Sequence, residues 1–115
     1  MSSKISIDLK DQLEVLSDGP SGDQNRLLFM AVVFQAMLDA TKPEVENESA
    51  EAVLERSRSR AWFFAETGVT ATDFVTVCDL AGLDYRQVRS FAHQVIHTDE
   101  VTFIRKKINA ILNHS

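Results

Sequence analysis

The residues with the most chemical content lie in one run, Asp73-Phe-Val-Thr-Val-Cys-Asp-Leu-Ala-Gly-Leu-Asp-Tyr-Arg-Gln-Val-Arg89. Two short amphipathic segments meet here at an Ala-Gly-Leu turn, the pattern of a helix-turn-helix. Each type has a physical reason at its place. Cys78 is small and lets a second helix cross close above it. Gly82 tolerates the positive φ of a tight turn. Leu83 and Val88 plug the angle between the helices. Asp84 accepts the orphan amides at the start of the second helix. The side chains left over at that start are Tyr85, Arg86, Gln87, Arg89 and Ser90, with His93 one turn on. In the major groove of duplex DNA, Arg86 or Arg89 matches guanine and Gln87 matches adenine. Arg56, Arg58, Arg60, Arg105, Lys106 and Lys107 are the candidate phosphate contacts.

Other chemistry finds little support. His93 and His97 stand four residues apart, a metal-compatible spacing, but no third ligand sits at a matching offset, so no metal is expected. Cys78 falls on the apolar stripe of its helix and reads as core rather than nucleophile. Glu44, Glu46 and Glu48 lie in a polar loop without the apolar pocket that raises a carboxyl pKa. The chain carries neither GxGxxG nor a P-loop. No enzyme and no cofactor are expected. Trp62, Phe63 and Phe64 read as core rather than as a platform for bases.

The elements that position these residues follow from periodicity. With 4 Gly and 2 Pro among 115 residues, breaks are few. Residues 1–22 read as an arm: Ile5, Ile7 and Leu9 alternate, Leu13 and Leu16 make one turn, and Ser17 to Gly22 is a loop signal. Residues 23–115 read as one all-α domain of about five helices, with the helix-turn-helix at about 71–97. The first helix runs from Asp23, an N-cap type, to Thr41 before Pro43. Its run LLFMAVVF is apolar all round, which predicts a central helix or a subunit interface. Leu28, Val32, Gln35 and Met37 are the candidate subunit contacts.

The second helix spans Ser49 to Thr67, with Ala52, Val53, Ala61, Phe63 and Phe64 inward and Gly68 as a left-handed C-cap. Thr70-Ala-Thr-Asp73 matches a capping box opening the third helix, with Phe74, Val77, Cys78 and Leu80 inward. The fourth runs from Asp84 to about His97. Its Val88, Phe91, Ala92 and Val95 form an i, i+3, i+4, i+7 stripe. Thr98 or Asp99 caps the fifth, which buries Val101, Ile104, Ile108, Ile111 and Leu112.

Composition bounds the function. The chain is 44% hydrophobic and 25% charged, the balance of one globular domain rather than a disordered tail. No apolar run approaches about 18 residues, so no membrane span is expected. The single cysteine forms no internal disulfide, and a reducing cytoplasm is the default location. The net charge is −5, but unevenly placed: residues 1–55 hold 4 Lys/Arg against 11 Asp/Glu, and residues 56–115 hold 8 against 6. A chain split in this way can carry one acidic and one basic partner face.

Arg60-Ala-Trp-Phe-Phe64, Asp73-Phe74, Val77-Cys78, Ala81-Gly-Leu-Asp84 and Val88-Arg89 together resemble short helical helix-turn-helix proteins of tailed phages, prophages and gene transfer agents, of the small-terminase type. The upstream LLFMAVVFQAMLDAT fits the same group, so the likeness spans roughly 26–92. It implies a non-enzymatic, self-associating DNA-packaging factor that presents double-stranded DNA to a large terminase. It also implies DNA-facing roles for Arg86, Gln87 and Arg89 and structural ones for Trp62 and Phe74. With an acidic chain, the binding implied is weak or avidity-dependent. The alternatives are a helix-turn-helix transcriptional regulator and an adaptor that grips protein only.

Overall fold

A computed structural model describes residues 24–113. Among them the chain forms five α-helices: α1 (Gln24–Ala40), α2 (Ala50–Phe64), α3 (Gly68–Ala81), α4 (Tyr85–His97) and α5 (Val101–Leu112). The fold is all-α, as the periodicity predicts. The expected arm at 1–22 and the N-cap at Asp23 lie outside the described residues.

The apolar helix is the central one. α1 packs against α2, α3 and α5, which is why its sequence has no single polar face. Met30, Val33, Phe34, Met37, Leu38 and Ala40 are buried and meet Phe63 of α2, Phe74 and Cys78 of α3 and Ile104 and Ile108 of α5 in one core. α4 closes the core with the predicted stripe, Val88, Phe91, Ala92 and Val95, all fully buried. No described helix is long and apolar enough to cross a membrane.

An aromatic cluster joins α2 to α3. Trp62 meets Phe63 and Phe74 edge-on, with ring centroids 5.3 and 5.0 Å apart, and Phe63 meets Phe74 at 5.7 Å. The Trp62 indole also donates to Asp73 Oδ2 at 2.7 Å. Trp62, Phe63 and Phe64 are thus packing residues, as expected.

Several boundaries differ from the sequence reading. α2 ends at Phe64, not Thr67, because Ala65 turns out with an extended backbone. Gly68 does adopt a positive φ, of 88°, but it opens α3 instead of closing α2. The capping box at Thr70 is not used. Thr67 holds the N-cap place without a side-chain bond, and the Asp73 carboxylate serves Trp62 instead. α5 starts after Glu100, whose amide donates to Thr98 Oγ1 at 3.3 Å. Val53, Ala61 and Leu80, expected inward, are exposed.

Burial sets the expected cost of truncation. Phe74→Ala removes a ring with no exposed surface and should cost about 3–5 kcal/mol. Val69→Ala, at a residue 88% exposed, should stay within about 0.5 kcal/mol. Urea denaturation of both variants measures the contrast.

Candidate nucleic-acid interface

The joint between α3 and α4 is built from local chemistry. Gly82 takes φ +74°, and two bonds close the end of α3: Gly82 N to Asp79 O at 3.0 Å and Leu83 N to Cys78 O at 2.9 Å. This is a Schellman motif, and Leu83, which is buried, is its apolar seal. Asp84 then caps α4, its carboxylate accepting from Arg86 N at 2.9 Å. The stop of one helix and the start of the next share three residues, so the angle between them is fixed.

On α4, Arg86, Gln87, Ser90 and His93 are exposed and Tyr85 is half-buried. Arg86 lies over the Tyr85 ring at 5.3 Å. His93 packs edge-on to Phe64, 6.3 Å between centroids, and the His97 ring stacks on it at 4.4 Å. His97 Nδ1 bonds the carbonyl of His93 at 2.8 Å. No group of three His, Cys, Asp or Glu among the described residues is placed to hold a metal ion. Burial and the nearby Asp79 push the Cys78 thiol up to about 12, so at neutral pH it offers no thiolate.

Arg89 does not stand free beside Arg86 and Gln87. Its guanidinium turns back across the fold, donating through Nε to Phe63 O at 2.8 Å and through Nη2 to Ala65 O at 3.2 Å. It also covers the Phe74 and Tyr85 rings at 5.3 and 5.6 Å. The last carbonyls of α2 lack helical partners, and Arg89 supplies them.

Three of the expected phosphate contacts are engaged inside the protein, two of them at the end of α1. Arg60 Nε donates to Ala40 O at 2.8 Å. Arg105 Nη1 donates to Leu38 O and, at 2.9 Å, to Thr41 Oγ1. Arg56 is buried and makes a two-pronged pair with Glu48, at 2.9 and 2.6 Å, while Nη1 also reaches Lys42 O at 3.4 Å. The negative end of the α1 dipole favours such cations. The remaining candidates, Arg58, Lys106 and Lys107, are exposed, Lys107 lying over the Phe103 ring at 5.6 Å.

The subunit-contact candidates divide as helix geometry requires. Leu28 (62% exposed), Val32 (42%) and Gln35 share one outer stripe of α1. Met37 is 1% exposed, a core residue: two positions beyond Gln35 a helix has turned to its opposite side.

One residue at the joint has no sequence signal. Arg26, near the start of α1, lays its guanidinium over Gly82. An ideal Cβ on Gly82 would fall 2.7 Å from its Nε and 2.8 Å from its Cζ. Only the packing of α1 on α3 reveals the neighbourhood.

No known protein family, curated protein or solved structure matches this chain.

Two measurements follow from the arginine contacts. Arg105→Ala removes a charged donor from the Leu38 carbonyl and the Thr41 hydroxyl and should cost about 1.5–3 kcal/mol in urea denaturation, against about 0.5 or less for the exposed neighbour Lys106→Ala. The Glu48 carboxyl is held below its ordinary range by its hydrogen bond to Arg56. A depressed carboxyl stabilises the fold above its unfolded value and loses that effect as pH falls through the folded one. The Tm difference between the native chain and Glu48→Gln should therefore be full at pH 7 and close below about pH 4.

Proposed function

We propose that this chain is a DNA-binding, self-associating packaging subunit of the small-terminase type, which presents double-stranded DNA to a large terminase or another packaging protein. The observation that carries the reading is the exposure of Arg86, Gln87 and Ser90 on the first turns of α4, a helix whose angle is set by the Gly82–Asp84 joint. Those are the turns a recognition helix puts against base edges. The packaging role itself rests on the sequence resemblance.

Each copy offers few cations to phosphates. Arg56, Arg60, Arg89 and Arg105 are engaged inside the protein. One copy therefore binds duplex weakly, and useful affinity comes from several copies on one DNA. The exposed stripe of Leu28, Val32 and Gln35 supports such self-association. The same engagement of arginines favours a second reading, an adaptor that grips protein only.

Anisotropy titration of a fluorescent duplex against salt decides between them. Binding should fall with salt by about one log–log unit per phosphate contact. Arg86→Ala with Gln87→Ala should weaken it about tenfold or more at unchanged Tm, within the range for lost base contacts. Absence of binding at low salt would leave the adaptor. A footprint at one site with two half-sites about a helical turn apart would identify a regulator instead.

A further inference from the structure

Arg26 differs from the arginines that cap α1 and α2. It is half-buried, yet among the described residues its guanidinium has no ion pair and no hydrogen bond. Gly82 has no side chain, and the guanidinium lies where one would be: an ideal Cβ there would be 2.7 Å from Nε, 2.8 Å from Cζ and 3.2 Å from Nη2. Helix stability does not explain the residue, because a cation in the first turn of α1 stands at the positive end of its dipole. Among the described residues its planar donor fork has no acceptor.

The location gives this cation a use. Gly82 is two residues before Asp84, the cap of α4, and Arg86 is exposed on the first turn beyond it. When the leading turn of α4 meets base edges, the joint preceding it lies beside the sugar-phosphate wall of the groove. Contacts there fix register and orientation but carry no sequence information. Two acids stand at the joint: Asp84, whose carboxylate accepts from Arg86 N, and the exposed Asp79.

We infer that Arg26 is a DNA-backbone contact of the helix-turn-helix: its guanidinium, seated over Gly82, pairs with a phosphate flanking the groove that α4 enters. Gly82 then has two roles, the left-handed turn and the seat for this cation. The inference rests on the DNA-binding reading of α3 and α4. It adds a contact from α1, outside the motif.

The test compares Arg26→Gln, Arg26→Lys and Arg86→Ala with the native chain, by anisotropy on duplexes of unrelated sequence over a salt series and by thermal melting. Arg26→Gln should weaken binding about 3- to 10-fold on every duplex and reduce the salt slope by about one, at unchanged Tm. Arg26→Lys should restore most of the slope. Native-like affinity and slope in Arg26→Gln, with Arg86→Ala weakened, would overturn this inference and leave the DNA-binding reading standing. Failure of Arg26→Lys to recover the slope would also overturn it, by assigning any loss in Arg26→Gln to packing. No binding by the native chain would overturn both.

Discussion

The structure depends on how two helices end. α1 and α2 finish without a basic residue in the last turn, and no glycine follows either directly. Their final carbonyls find donors far away in the chain. Arg60 and Arg105 reach the end of α1, and Arg89 reaches the end of α2. A charged donor on an orphan carbonyl does two things: it satisfies a polar group that is losing water, and it meets the negative end of the dipole. Because each arginine comes from another helix, these contacts also set the packing. α2 and α5 are tied to the end of α1, and α4 is tied to the end of α2.

This changes the meaning of the charge distribution. The basic excess of the second half looks like a surface for a polyanion. Much of it is internal, directed at backbone dipoles and at Glu48. What faces outward from α4 is mixed: one arginine, two glutamines, a serine and two histidines. Such a surface reads bases or protein better than it grips phosphates. That is why association between copies matters to the proposed function.

The sequence was most legible where the physics is local. Gly82, Leu83 and Asp84 do what their types dictate within a few residues, and the stripe of α4 is buried at all four expected positions. The uninterrupted apolar run of α1 pointed to a central helix or a subunit interface, and the helix is central. Legibility failed where a distant partner competed for a group. Asp73 matches a capping box, but the Trp62 indole takes its carboxylate. Arg89 sits one residue past a buried valine and looks like an exposed reader, yet the end of α2 claims it. Gly68 has the expected backbone sign but belongs to the following helix. Arg26 and Gly82 meet only because α1 lies along α3, and no spacing rule carries that information.

Trp62 is the sole indole in the chain, and its hydrogen bond to Asp73 stretches across the contact between α2 and α3. The protein thus contains its own optical probe where α2 meets α3. Its emission reports the polarity and hydrogen bonding of that seam, so a rearrangement of α3 would be visible in the native fluorescence without any label.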